Sequence, residues 1–208
     1  MDFEGNTQQN PQIEERKYTI SEYFDLEIAS EKRHEFYNGT IVECAYTSEN
    51  HGTIVHNLDV LLGNCLRKTD CKVFAENRML YATECKRVYY PDILMTCGER
   101  NYYQYSKNQI AITNPSVLIE VLSDSTENID RGDKLKCYRK IPSLKQYVII
   151  EQDSKSVQVY EYDNVAKRWI AKVYEEDGDT VRIGDCDIPL DEIYFKVDLI
   201  EANQQSDN

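Results

Sequence analysis

The 208-residue chain carries 24 Lys and Arg against 37 Asp and Glu, a formal net charge of −13, with 41% apolar residues. That length suits one substantial domain and leaves no room for a complete second one, and no apolar run approaches the roughly 20 residues needed to cross a bilayer. The acidic balance weighs against nonspecific nucleic-acid binding over the whole surface, which depends on Lys and Arg displacing phosphate counterions. It leaves open a local basic rim at Lys134, Lys136, Arg139 and Lys140, which reads equally as a solvated helix face.

Residues 1–16 are polar, rich in Gln, Asn and Glu, and lack the basic start and apolar stretch of an export signal. They read as a mobile tail before a single domain over 17–200, with a second loose tail at 201–208. A short helix is expected from Tyr18 to Ala29, with Ser21 as its N-cap. Asn38-Gly39, the strongest two-residue turn signal in the chain, predicts a hairpin between His34-Glu-Phe-Tyr37 and Thr40 to Tyr46, which puts Glu35 on a strand near a tight turn. Gly52 to Lys68 is the clearest helix: Ile54, Leu58, Leu61 and Cys65 recur at helical spacing, and Val55, Leu62 and Leu66 widen the stripe.

Shorter strands are expected at Cys71 to Phe74, Arg78 to Thr83 and Arg87 to Met95, followed by a polar, tyrosine-rich loop over 97–109. Val117 to Leu122 reads as a strand buried on both faces. A helix from Ile129 to Lys140, capped by Thr126 or Asn128 and stopped near Pro142, leads to a buried strand at Tyr147-Val-Ile-Ile150, which implies a β-α-β crossover. Ser156 to Tyr162, Arg168 to Tyr174 and Thr180 to Ile183 read as an antiparallel meander. The expected fold is α/β with a mixed central sheet flanked by helices. The seven cysteines are scattered, with no CxxC pair, and suggest reduced thiols and a cytoplasmic location.

The chemistry concentrates at two acids. Glu120 interrupts the apolar run Ser116-Val-Leu-Ile-Glu-Val-Leu-Ser123, and a carboxylate there needs a cation or hydrogen bonds to offset several kcal/mol of desolvation. Asp92, in Tyr89-Tyr-Pro-Asp-Ile-Leu-Met95, has a similar setting. Two strand carboxylates match the one or two that Mg²⁺ takes beside water and phosphate oxygens, with Glu35 as a third ligand or a support. Lys134 follows on the next helix, where Asp130, Lys134 and Tyr138 share a face at i, i+4 and i+8. Simpler readings stand beside these. Asp92 fits a turn aspartate, Glu120 a buried acid paired with Lys134 or Arg131, and Lys134 a helical ion pair with Asp130. Glu35 fits a surface acid, Tyr138 a core or rim aromatic, and His51 and His56 capping or surface positions.

Taken together, Pro91-Asp92, Ile119-Glu-Val-Leu-Ser123, Ser125-Thr126, Asp130-Arg-Gly-Asp-Lys134, Tyr138 and Gln146-Tyr-Val-Ile-Ile150 resemble the Uma-type putative endonuclease family of the PD-(D/E)XK nuclease superfamily. Glu35-Phe-Tyr-Asn-Gly39 matches its upstream hairpin, with Asn38 where aspartate is usual. The resemblance runs from about Tyr18 to Val197 and implies a restriction-endonuclease-like fold. It also implies Mg²⁺- or Mn²⁺-dependent hydrolysis of nucleic acid, DNA before RNA, by Asp92 and Glu120 as metal ligands, the Val121 carbonyl as a third, and Lys134 as the catalytic lysine. Leu122 stands where the superfamily usually has its lysine, and the following helix supplies one instead. A homodimer would give the two sites that cutting two strands requires. The alternative is an inactive nuclease fold serving as a binding or assembly module.

Overall fold

The computed structural model describes residues 16–44, 47–76, 78–107, 109–123 and 127–199. The expected tails beyond Arg16 and Leu199, the strand end at Ala45 and Tyr46, and the Ser125-Thr126 pair lie outside the described residues.

Helix α1 (Ile20–Ala29) is capped by Thr19 rather than Ser21. The Thr19 hydroxyl accepts the Glu22 N–H at 3.2 Å and the Glu22 carboxylate accepts the Thr19 N–H at 2.8 Å. This reciprocal box satisfies two backbone donors that a helix start otherwise leaves free. Thr19→Ala is expected to cost about 1 kcal/mol; urea denaturation checks this, and an unchanged midpoint would remove the cap from the account. Asn38 and Gly39, at φ 54° and 81°, turn β1 (His34–Tyr37) into β2 (Thr40–Glu43), the backbone a tight hairpin demands. Helix α2 (Glu49–Cys65) begins three residues before the expected start, because Ser48 caps it through the His51 N–H, and it buries Ile54, Val55, Leu58 and Leu62.

Seven strands follow: β3 (Lys72–Ala75), β4 (Leu80–Ala82), β5 (Arg87–Tyr89), β6 (Ile93–Thr96), β7 (Tyr102–Gln104), β8 (Ile110–Ile112) and β9 (Val117–Val121). Residues 127–138 form helix α3, whose middle, Asp130–Lys134, widens into a π turn. Strands β10 (Gln146–Ile150), β11 (Val157–Asp163), β12 (Arg168–Tyr174), β13 (Thr180–Ile183) and β14 (Cys186–Pro189) complete the order, with a helical turn at Leu190–Ile193.

The strands form two mixed six-stranded sheets, β2-β1-β5-β4-β8-β7 and β12-β11-β10-β9-β6-β3, and a separate β13-β14 hairpin. The β9-α3-β10 crossover is present, since β9 and β10 pair in parallel. The expected mixed α/β architecture is present, with its strands divided between two sheets, and the reason for the division lies at residues 90–92. Pro91 has no N–H to give a ladder, so the apolar run from Arg87 to Met95 breaks into β5 in the first sheet and β6 in the second. The tyrosine-rich loop holds the β7-β8 hairpin. The expected meander keeps β11 and β12, while β13 leaves to pair with β14.

Alternation along the strands sorts the core. Ile93, Met95, Val117, Ile119, Val148 and Ile150 pack with α2 and the β13-β14 hairpin, whereas Leu94, Leu118, Leu122, Tyr147 and Ile149 pack with α3 and β4. Glu120 therefore points into the second layer, between Leu118 and Leu122. The expectation of reduced thiols is also corrected: disulfides join Cys65 to Cys186, Cys71 to Cys97 and Cys85 to Cys137, leaving Cys44 free. Partners 121, 26 and 52 residues apart meet only through tertiary packing, which cysteine spacing does not reveal.

Candidate active site

Asp92 stands immediately before β6, and Glu120 immediately follows Ile119, the residue paired with Ile93. The antiparallel register thus sets the two acids at neighbouring strand positions. The carboxylate of Asp92 is held from two sides: its Oδ2 accepts the Val121 N–H at 2.7 Å and lies 3.1 Å from His51 Nε2. Glu120, only 3% exposed, accepts on Oε1 from Lys134 Nζ at 3.1 Å and from the Tyr138 hydroxyl at 2.8 Å.

Lys134, 5% exposed, ends the π turn of α3. Its Nζ is also 3.4 Å from Glu35 Oε1 and 3.1 Å from Asp130 Oδ1, the latter a charge contact without hydrogen-bond geometry, and it sits 5.6 Å over the Tyr89 ring. Glu35 is fixed in turn by the Tyr90 N–H, which donates to its Oε1 at 3.1 Å. Glu35, Asp92, Glu120, Val121, Asp130 and Lys134 all line one cleft of about 490 Å³, with His51 in its wall. π turns within α-helices occur often at functional sites.

Charge in this cleft is unbalanced. Five carboxylates, those of Glu35, Glu43, Asp92, Glu120 and Asp130, line it with one lysine and one histidine. Burial pushes the Glu120 carboxyl well above the ordinary carboxylate range; Lys134 opposes this, while Asp130, Asp92 and Glu35 add to it. Burial would depress Lys134, but Glu120, Glu35 and Asp130 outweigh it and hold the ammonium protonated, well above its usual value. At His51 burial likewise lowers, and the hydrogen bond and charge of Asp92 more than reverse it, so its pKa is raised. Burial, with Glu35 nearby, pushes the Cys44 thiol up to about 12, which makes it a poor nucleophile.

The donor set suits a hard divalent cation. Among the described residues no three His, Cys, Asp or Glu side chains form a complete cage. Mg²⁺ and Mn²⁺ sites do not need one, since one or two carboxylates suffice beside water and substrate oxygens. The recorded bonds of Asp92 fall on Oδ2 and those of Glu120 on Oε1, so each carboxylate has a second oxygen to which no described residue bonds. A cation would also offset the excess negative charge.

The structure brings Glu35, Asp92, Glu120 and Lys134 together. Arg131, the other partner considered for Glu120, turns instead to Glu127, Glu151 and Gln158. Val121 meets Asp92 through its N–H. The basic rim is corrected, because Lys134 is buried, and of the four Lys136 in α3 and Arg139 and Lys140 just beyond its end remain exposed. Sequence reasoning missed His51, read as a capping or surface residue, and read Tyr138 as a core or rim aromatic before a substrate contact, not as a donor to Glu120. His51 lies three residues after the Ser48 cap, the one sequence signal for its place in the first turn of α2. Nothing in the spacing pairs it with Asp92, 41 residues away.

The architecture is a mixed α/β fold that a solved structure shares. It superposes with a TM-score of 0.64 on the crystal structure of a putative nuclease belonging to DUF820 from Anabaena variabilis, at 16% identity, covering 82% of this chain and 96% of that one. The family model Uma2, described as putative restriction endonuclease, matches residues 20–186, and the chain belongs to that family. Two proteins of Synechocystis sp. are similar to it. Uncharacterized protein sll1609 is 33% identical over 143 residues, 69% of this chain and 80% of its own, and uncharacterized protein slr1290 is 30% identical over 159 residues, 76% and 81% respectively. Among the described residues no helix is long and apolar enough to cross a membrane.

Proposed function

We propose that this protein is a Mg²⁺- or Mn²⁺-dependent endonuclease that hydrolyses phosphodiester bonds of nucleic acid, with DNA as the substrate. One observation carries the reading: Glu35, Glu120 and Asp130 gather around Lys134, with Asp92 lining the same cleft, in a member of a family described as putative restriction endonucleases.

Asp92 and Glu120 would hold the cation, with the Val121 carbonyl as a third oxygen and Glu35 supporting the arrangement. A divalent ion there supplies Lewis acidity toward a phosphoryl oxygen. Lys134, kept protonated by its three acids, is a poor base, so its role is to stabilise negative charge developing on the phosphate. Tyr138 keeps Glu120 turned toward the cleft by donating to Oε1. Leu122 is 3% exposed and belongs to the apolar layer, which leaves Lys134 as the lysine of the site.

The test is a cleavage assay on single-stranded and duplex DNA and RNA in Mn²⁺. The native protein should cut, and Asp92→Ala should slow cutting by more than about 100-fold without loss of fold. A native rate in that variant would remove Asp92 from the mechanism. One observation favours a second reading, a nuclease fold kept as a binding or assembly module: Lys134 has carboxylates as its ionic partners on three sides, as a structural ion pair does. Absence of cleavage with every substrate, together with a melting temperature indifferent to millimolar Mn²⁺, would favour it.

A further inference from the structure

His51 is 3% exposed, and its place is fixed before it meets any acid. It occupies the first turn of α2, where its backbone N–H donates to Ser48 Oγ at 3.1 Å, and the helix packs on the second sheet through Ile54, Val55 and Leu58. Facing a carboxylate, the ring must present an N–H, so Nε2 is the protonated nitrogen toward Asp92 Oδ2. The same oxygen already accepts the Val121 N–H. Two donors from different elements, α2 and β9, therefore converge on one oxygen of Asp92 and lock the rotation of its carboxylate. Oδ1 receives no bond from any described residue.

We propose that His51 is a positioning residue that sets cation selectivity: by sharing Asp92 Oδ2 with the Val121 N–H, it leaves Oδ1 as the single ligating oxygen and enforces one-oxygen coordination. This rests on the metal-dependent reading above. Its consequence follows from the ions themselves. Mg²⁺ and Mn²⁺ favour compact octahedral shells in which a carboxylate gives one oxygen, whereas the larger Ca²⁺ accepts both oxygens of a carboxylate in a looser shell. A carboxylate with one oxygen engaged elsewhere disfavours the Ca²⁺ mode. If the histidine donor is removed, Asp92 can rotate to offer both oxygens.

The experiment is calorimetric titration of the 208-residue protein with Mn²⁺ and, separately, with Ca²⁺, for the native chain, His51→Gln, His51→Phe, His51→Leu and Asp92→Ala. Gln keeps a side-chain N–H donor; Phe and Leu remove it while filling the space, so one folded member of that pair is enough. The expected result is Mn²⁺ binding about 10- to 100-fold weaker in the donor-less variants. Ca²⁺ binding should weaken less, so the preference for Mn²⁺ falls, and His51→Gln should recover most of it. A purely structural role would weaken both ions together and leave the ratio unchanged. Native Mn²⁺ affinity and an unchanged ratio in the donor-less variants would overturn the inference while leaving the metal site standing. No saturable Mn²⁺ binding by the native chain, or binding unaltered in Asp92→Ala, would overturn the Asp92 metal reading and this inference with it.

Discussion

Lys134→Met is expected to destabilise the fold by about 3–5 kcal/mol at pH 7, because it strands buried acids without their cation. The native lysine lies within 3.4 Å of Glu35, Glu120 and Asp130, and both Glu120 and Asp130 are almost wholly buried. For a domain of this size that loss corresponds to a fall in melting temperature of roughly 6–20 °C. The pH dependence supplies the sign. Burial already raises the Glu120 carboxyl above its ordinary 4.5, and without Lys134 the rise is larger. A carboxyl whose pKa is higher folded than unfolded binds more protons in the folded state, so stability falls as pH rises. The deficit of the variant should therefore shrink as pH drops through the raised folded value, and be smallest near the unfolded value of 4.5. Urea denaturation at a series of pH values measures this. A variant as stable as the native chain at pH 7 would mean that the lysine does not hold the carboxylates together.

Glu120→Gln should have the opposite profile. The Tyr138 hydroxyl can still donate to the amide oxygen, and Lys134 keeps Glu35 and Asp130, so a buried charge is removed while its main partners remain satisfied. Stability without metal should stay within about 1 kcal/mol of native or rise, as when a charge that burial disfavours is neutralised. The response to cation should vanish. At Mn²⁺ a hundredfold above its dissociation constant the native fold should gain about 2.7 kcal/mol, and the variant close to none. Function-bearing charge clusters commonly lower stability in this way. If the variant gained as much from Mn²⁺ as the native chain, Glu120 would not be a ligand.

Legibility in the amino-acid sequence differs from element to element. Glu120 was conspicuous because a lone acid in an apolar strand has no cheap explanation, and Lys134 because helical spacing set it on a face with Asp130 and Tyr138. The Asn38-Gly39 hairpin and the β9-α3-β10 crossover follow from local signals of the same kind. The split into two sheets was hidden because residues 87–95 have the composition of one long strand, and the single missing N–H of Pro91 decides otherwise. The β7-β8 hairpin was hidden by polarity: Tyr102, Tyr103 and Gln104 are exposed, so no alternation marks them. His51 was obscured by its neighbourhood, since its polar partner comes from a different element. The disulfides, likewise, depend on contacts between distant segments rather than on any spacing.

Everything proposed for the cleft depends on Asp92 and Glu120 holding a divalent cation. Calorimetric titration of Mn²⁺ into the native protein and into an Asp92→Ala, Glu120→Ala double variant tests it most directly. Saturable binding to the native chain should disappear in the double variant while its circular dichroism stays native; equal binding by both proteins, or none by the native one, would rule these carboxylates out as the site.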